Sequence, residues 1–462
     1  MTTFTPTLVT THRLASDGYV LSLAQSDGSL AVATSENTIT LLDRTTLKQT
    51  ATFPKAHAAR INEVSFAPTK TLVSGSSDGT VRLWDVSQTA PLNTLSDTSF
   101  KDDDEVWSVS AEGLYVAAGT NNAVVVWDVR QTARPLARYE MHTEAVTQVR
   151  FLPGSRHLVS GSVDELVCVL DTSQPEEDDA VRGVHNVQSP VAALGLYGAS
   201  NDARAPPGGP LLAWVLSSTD VVQLWDLDAA ERLAVYDGLV GHSAADHLAE
   251  TEVGARDAAA ASAVHLPVPV DFIAGCEWDA RTRTLMMLGG DKSGGAHLFA
   301  LPPTAVPPDR LTDRASQAAA AASSEAVTGD GSDDEVALPP AASVSGAIHH
   351  LCTLAPKAQA SSMPDSMPGS GGGGGGAHDD SVRCFSFLSG GGGEAARASL
   401  ITGGEDGRVA VWAWAQAVGS GQAEAEAGGA SSGGGRKAAK ESKEERKRAK
   451  PYDRPDDKKK RH

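Results

Sequence analysis

Four aspartates, Asp43, Asp85, Asp128 and Asp171, stand 42, 43 and 43 residues apart, and each closes a stretch of similar sequence. The stretches read Ala-Thr-Ser-Glu-Asn-Thr-Ile-Thr-Leu-Leu-Asp through Asp43, Val-Ser-Gly-Ser-Ser-Asp-Gly-Thr-Val-Arg-Leu-Trp-Asp at 73–85, Ala-Ala-Gly-Thr-Asn-Asn-Ala-Val-Val-Val-Trp-Asp at 117–128 and Val-Ser-Gly-Ser-Val-Asp-Glu-Leu-Val-Cys-Val-Leu-Asp at 159–171. Self-similarity at a fixed period means that one small unit is built repeatedly. Such a unit cannot bury both of its faces alone, so it must stack on its neighbours, and closing the stack into a ring hides every face from water.

Each unit reads as strands. Val64-Ser-Phe66, Leu72-Val-Ser74 and Val81-Arg-Leu-Trp84 are apolar and β-branched or alternating, and Ser77-Asp78-Gly79 supplies a tight turn between the second and third. Gln49-Thr-Ala-Thr-Phe53 is assigned as the outer, fourth strand of this unit. More distant copies end at Trp225-Asp226 and Trp412. A sixth unit runs through Asp271–Trp278, Thr284–Gly290 and Gly295–Phe299, with Phe299 where the others place Trp or Leu. A seventh runs through Val382–Phe387, Leu400–Gly407 and Val409–Trp412. No strand is readable after Trp412, whereas Thr7–Leu14 precedes the first unit without a sheet of its own, so residues 1–14 are expected to close the seventh.

The expected layout is therefore all-β and a single ring of seven sheets. Inner strands of units one to six lie within 15–301, an outer strand of unit six at 347–354 and unit seven at 378–415. Segments 302–346 and 355–377, rich in Ala, Pro, Ser, Asp or Gly, read as disordered inserts, and 416–462 as a disordered linker with a basic tail. Four cysteines without a CxxC pair indicate neither a disulfide framework nor a zinc ribbon. The first residues lack a signal-peptide pattern, and no run approaches the roughly 20 apolar residues of a membrane span, so a soluble intracellular protein is expected. The net charge of −19 is segregated: residues 436–462 hold 13 Lys/Arg and 6 Asp/Glu, leaving 26 against 52 in the rest. An acidic body repels a phosphate backbone, so nucleic-acid contact would fall to the tail.

Several constellations invite chemistry. His, Ser and Asp recur together, as a hydroxyl nucleophile with its base would, but recurrence in successive units points to scaffolding rather than catalysis. Asp102-Asp-Asp-Glu105 matches no calcium loop with its turn glycine, His349-His350 with Cys352 lacks a fourth ligand, and the glycine run 371–376 lacks the Lys-Ser/Thr of a phosphate loop. No cofactor, metal or catalytic residue is expected.

The period, the unit Met141–Phe151 followed by Val159-Ser-Gly-Ser, the sixth unit without Trp-Asp, the closing Ile401–Gly407 and the basic C-terminus together resemble the WD40-repeat β-propeller family, over roughly residues 10–415. The resemblance implies a non-catalytic scaffold that binds other proteins, with relatives tied to nuclear or ribosome-assembly roles. It implies that His57, one of Ser74 and Ser76, Asp78 and Trp84 form a structural hydrogen-bonded set. His142 with Asp164, and His378 with Asp406 beside Trp412, repeat part of it. Blades one, five and six carry Glu36, Thr219 and Ser293 at the turn position and are expected to be less rigid. It further implies partner binding where the first strands leave the loops, at Tyr19, Leu21, Arg60, Asn62, Glu105, Trp107, Ala145, Thr147 and Arg383. Trp107 is either an exposed anchor or a ring tucked between blades. The tail suits nuclear import, a weak RNA contact or simple solubilisation. A monomer within a larger nuclear complex, with the cytoplasm also open to it, is the expected setting.

Overall fold

In the computed structural model the described residues lie between 4 and 416, excepting 15–17, 69–70, 87–90, 96–103, 202–210, 241–265, 267, 269, 280–283, 292–294, 302–347, 355–377, 379 and 388–397. The expectations placed on the inserts 302–346 and 355–377, on the tail and on Ser293 lie outside the described residues. Seven four-stranded antiparallel sheets follow one another. A first strand, β1 (Phe4–Arg13), precedes blade one, which is β2 (Val20–Gln25), β3 (Ser29–Thr34), β4 (Ile39–Asp43) and β5 (Gln49–Phe53). Blade two is β6 (Ile61–Phe66), β7 (Thr71–Ser76), β8 (Val81–Asp85) and β9 (Pro91–Leu95). Blade three is β10 (Ser108–Glu112), β11 (Tyr115–Gly119), β12 (Val124–Asp128) and β13 (Ala137–Tyr139). Blade four is β14 (Gln148–Phe151), β15 (His157–Gly161), β16 (Leu166–Asp171) and, after a single turn of helix at Glu177–Ala180, β17 (Val181–Asn186). Blade five is β18 (Val191–Leu196), β19 (Leu212–Ser217), β20 (Val222–Asp226) and β21 (Glu231–Tyr236). Blade six is β22 (Phe272–Asp279), β23 (Thr284–Gly290), β24 (Ala296–Leu301) and β25 (His349–Leu354). Blade seven joins β26 (Val382–Phe387), β27 (Ala398–Gly404) and β28 (Arg408–Gln416) to β1, which pairs with β28 from Phe4↔Gln416 to Arg13↔Arg408.

One assignment from sequence is corrected. Gln49–Phe53 does not complete the unit of Trp84 but pairs with β4, Leu41 opposite Ala51, in blade one. The outer strand of blade two is Pro91–Leu95, with Leu83 opposite Asn93. The reason is geometric: after Asp43 the chain turns straight back, so the strand that follows joins the blade it has just left. Asp43 builds that turn, its Oδ1 accepting from the backbone N–H of Thr46 at 2.7 Å and of Thr45 at 3.2 Å.

A repeated contact sets the spacing between blades. A buried Val or Ile stands at the start of the first strand or two residues ahead of it: Val20, Ile61, Val191 and Val382 at the start, Val106 and Val146 ahead, all at most 2% exposed. Four of these sit against a glycine in the second strand of the preceding blade. A Cβ on Gly75 would stand 2.6 Å from Val106 Cγ1, one on Gly161 2.8 Å from Val191 Cγ1, and one on Gly403 2.6 Å from Val20 Cγ1; Gly119 meets Val146 in the same way. The glycine of the Ser-Gly-Ser motif is therefore a socket for the neighbouring valine, and each seated valine contributes about 1.5–3 kcal/mol of burial. Around these junctions run continuous cores, such as Val73, Val81, Leu83, Val106, Val109 and Trp127 between blades two and three.

In blades one, two, four, five and seven the tight turn between second and third strands carries a left-handed residue. Gly79 (φ 74°) and Gly407 (φ 67°) supply it freely, whereas Asn37 (φ 58°), Glu165 (φ 71°) and Asp220 (φ 58°) adopt it with a side chain attached.

Candidate protein-interaction face and central channel

The His, Ser, Asp and Trp of blade two form one relay. Ionised Asp78 only accepts, so His57 Nδ1–H donates to it at 3.0 Å, His57 Nε2 accepts from the Ser74 hydroxyl at 2.7 Å, and Trp84 Nε1–H donates to Ser74 Oγ at 2.9 Å. Burial pushes the Asp78 carboxyl up, but hydrogen bonds from His57 and Thr80 outweigh it and hold the group well below the usual carboxylate range. Ser76 plays a different part, donating to Ala59 O at 3.3 Å and accepting from Asp78 N–H at 3.1 Å. Blade seven holds the same relay with a threonine: His378 Nδ1 to Asp406 at 3.1 Å, Nε2 to Thr402 Oγ1 at 2.8 Å, and Trp412 Nε1 to Thr402 Oγ1 at 2.9 Å.

Blade four has three members, His142, Asp164 and Ser160, with Nδ1–Oδ2 3.0 Å and Nε2–Oγ 2.9 Å, and buried Leu170 in the tryptophan's place. Blade five substitutes another device that sequence reasoning missed. Val215 occupies the serine position, and Gln223 Oε1 accepts from Trp225 Nε1 at 3.0 Å while its amide donates to Val187 O at 2.9 Å. Thr219 there shares a 2.9 Å hydrogen bond with Ser217, and Asp220 Oδ1 reaches the backbone N–H of Ile273 in blade six at 3.2 Å. In blade one Thr34, at the end of the second strand, donates its hydroxyl to Thr38 O at 3.3 Å. The hydroxyls of Ser74, Ser160 and Thr402 belong to residues that are wholly buried, so none is placed to attack a substrate. Among the described residues no group of three His, Cys, Asp or Glu could hold a metal ion. Asp102 and Asp103 and the side chains of His349 and His350 lie outside that description.

One face of the ring carries the loops that lead into the first strands and the turns between second and third strands. The named partner-binding positions lie here but differ in freedom. Tyr19 is 49% exposed and Trp107 37% exposed. Arg60 is exposed, Glu105 partly so, and exposed Arg383 is ion-paired with Glu405. Asn62 and Thr147 are instead stitches between blades: Asn62 donates to Val106 O at 2.8 Å and Thr147 to Val191 O at 2.6 Å. Ala145 lends only its carbonyl, to Val163 N–H at 3.0 Å. Trp107 stands at the same register as Asn62 and Thr147 but makes no such stitch; its Nε1–H donates to Asn121 Oδ1 at 2.9 Å within its own blade. The indole is thereby tied to its own blade while the residue stays 37% exposed.

Leu21 turns away from this face into the central channel, a cavity of about 440 Å³ lined by first strands of six blades. Side chains tie these strands together: Ser22 accepts from Val64 N–H at 3.2 Å, Glu63 from Val109 N–H at 2.9 Å, and Ser108 from Val149 N–H at 3.0 Å. Across the channel Arg150 pairs with Glu63 at 2.7 Å. A second carboxylate, Glu277, accepts from Ser386 Oγ and from Phe387 N–H, both at 3.1 Å.

The sequence matches two families, one described as nucleolar protein 10-like, N-terminal domain, over residues 7–192, and one described as WD domain, G-beta repeat, over 376–413. It is 28% identical over 291 residues to the WD repeat-containing protein 89 homolog of Dictyostelium discoideum, covering 62% of this chain and 72% of that protein. It is 30% identical over 208 residues to WD repeat-containing protein GTS1 of Arabidopsis thaliana, and 26% over 231 residues to histone acetyltransferase type B subunit 2 of Candida glabrata. The aligned parts cover 43% and 45% of this chain, and 50% and 52% of those proteins, about half their length. With the repeat in its sequence, seven four-stranded blades in its fold and these likenesses, the chain is a seven-bladed WD-repeat β-propeller.

Proposed function

We propose that this propeller is a non-catalytic platform that holds other proteins against its loop face, within a nuclear assembly. The observation that carries the reading is Trp107: a large aromatic, 37% exposed and pinned by Asn121, offers area with little ordering cost on binding. Arg60, Glu105 and Tyr19 share its face, and Trp, Tyr and Arg are the residues that dominate binding hot spots. The buried relay hydroxyls support a structural role for the residues that otherwise look catalytic. A nuclear setting is supported by the lysine and arginine clusters of 436–461 and by the likeness of residues 7–192 to a nucleolar protein 10-like domain.

A second reading, an RNA- or preribosome-associated factor, draws on the excess of 13 Lys/Arg over 6 Asp/Glu in 436–462. Affinity purification of the full chain, of Trp107→Ala and of a chain lacking 436–462, each with and without nuclease and read by mass spectrometry, separates the two. The platform reading expects partners that survive nuclease and loss of the tail but vanish with Trp107→Ala, whose unfolding free energy stays within about 0.5 kcal/mol of the parent. Partners lost with the tail or with nuclease overturn it in favour of RNA-linked assembly, and a Trp107→Ala chain that unfolds early removes the indole from the face.

A further inference from the structure

Two carboxylates line the central channel among the described residues of its wall, and only one has a cation. Glu63 is paired with Arg150 at 2.7 Å. Glu277 has the Ser386 hydroxyl and the Phe387 N–H as donors, and no lysine, arginine or histidine of the described residues lies within ion-pair distance. The position follows from topology. First strands run from the loop face to the opposite face, and Glu277 is the sixth of eight residues in β22, next to Phe387 at the end of β26, so it stands near the far mouth of the channel.

The wall around that mouth is aromatic. Trp278, Phe385 and Trp214 line the cavity with Glu277. Trp214 belongs to a second strand and reaches the channel only because its partner across the ladder is Gly195: a Cβ there would stand 2.6 Å from Trp214 Nε1. The residue is 7% exposed. Burial pushes the Glu277 carboxyl up to about 8, against the two hydrogen bonds that favour its ionised form and with the nearby charge of Asp279 adding to the rise. The carboxyl therefore holds its proton near neutral pH, and a cation brought from outside into this cavity, whose wall also carries aromatic rings, draws it into the ionised form and gains a counter-ion.

We propose that the far mouth of the channel is a binding site for one cationic side chain, lysine or arginine, from a basic segment of a partner protein, with Glu277 as its counter-ion and Trp214, Trp278 and Phe385 as its walls. The site is separate from the loop face, so its failure leaves the platform reading standing, and failure of the Trp107 experiment leaves this site standing. A guanidinium or ammonium group that enters exchanges its water for the carboxylate and the ring faces, while Ser386 and Phe387 hold the carboxylate still.

The test uses the full chain with 15N-labelled tryptophan, the indole N–H signals of positions 214 and 278 being assigned with Trp214→Phe and Trp278→Phe. The probes are acetyl-Gly-Arg-Gly-amide, acetyl-Gly-Lys-Gly-amide and, as an uncharged equal of arginine, acetyl-Gly-citrulline-Gly-amide. Saturable movement of the Trp214 signal in the millimolar range is expected with the arginine or the lysine probe, weakened roughly tenfold or more for citrulline and for Glu277→Gln. Which of the two charged probes binds more tightly names the side chain. No saturable movement with either charged probe, or equal movement with citrulline, overturns the proposal. The citrulline comparison needs no variant, so the result stands even where Glu277→Gln folds poorly.

Discussion

Ser74→Ala and Ser160→Ala are the same substitution at the same place in blades two and four, yet they should not cost the same. Ser74 Oγ serves two buried groups, His57 Nε2 at 2.7 Å and Trp84 Nε1 at 2.9 Å, while Ser160 Oγ serves His142 Nε2 alone at 2.9 Å because Leu170 stands where the tryptophan would. Each buried polar group left without a partner costs about 1–3 kcal/mol. Ser160→Ala is then expected to lower the unfolding free energy by about 1–3 kcal/mol, and Ser74→Ala by about 2–6 kcal/mol. Urea unfolding followed by far-ultraviolet circular dichroism measures both. A third chain sharpens the comparison: in a Trp84→Phe background no indole donor remains, and the cost of Ser74→Ala should fall to that of Ser160→Ala. Equal costs in the parent background, or a Ser74→Ala cost that Trp84→Phe leaves untouched, would refute the two-partner reasoning.

Glu165→Gly relieves a left-handed residue at φ 71° in blade four, for a net gain of roughly 0.5–1 kcal/mol after glycine's own entropy, seen as a raised urea midpoint. Gly75→Ala drives a methyl to within 2.6 Å of Val106 and Val109 and should cost about 1–3 kcal/mol by the same assay, an unchanged midpoint being evidence against the socket. Burial lowers the pKa of His142 from 6.5 despite the attraction of Asp164, so the folded state favours the neutral ring. The unfolded chain takes up the proton first. The stability it contributes is therefore full above pH 6.5 and is lost as the pH falls below that value, and His142→Gln should flatten this part of the pH–stability curve. Deleting residues 1–14 strips β28 of its partner along β1 and should sharply lower the thermal midpoint; a midpoint unmoved by the deletion would show that the ring closes without it.

The ring of seven sheets was legible because its cause is local and repeated: aspartates 42 or 43 residues apart, glycine at the socket, a turn aspartate followed by glycine. Phe299 could be read as the sixth unit's substitute for tryptophan for the same reason, and it pairs with Met287 as Trp84 does with Leu72. What failed was attachment across a loop. Gln49–Phe53 has strand character whichever blade it joins, and only the Asp43 turn decides that it folds back on β4. Thr402 could have been found by laying Leu-Ile-Thr-Gly-Gly over Leu-Val-Ser-Gly-Ser. Gln223 could not, since nothing nearby in sequence says that its amide will reach Val187. The division of the loop-face positions into stitches (Asn62, Thr147) and a partly exposed ring without a stitch (Trp107) depends on the carbonyls of the next blade, some 44 residues on. The channel is more distant still: Glu63 meets its arginine 87 residues later, and Trp214 reaches the cavity only where a glycine on another strand lets it pass.

The pairing of β1 with β28 also sets an order in time. A ribosome makes Phe4 first and Gln416 more than four hundred residues later, and at ~5–20 residues per second that is a wait of roughly 20–80 s. Throughout it the first-made strand has an unsatisfied edge, and Val20 at the head of blade one has no glycine to seat against, since Gly403 is among the last residues of the ring to emerge. Blades two to five can dock on their predecessors as they appear, but the seam between the last blade and the first stays open until β28 has been made. A nascent chain of this kind must therefore be shielded at one place above all, the exposed flank of its first blade, and substitutions there should harm yield in the cell more than they harm the finished fold.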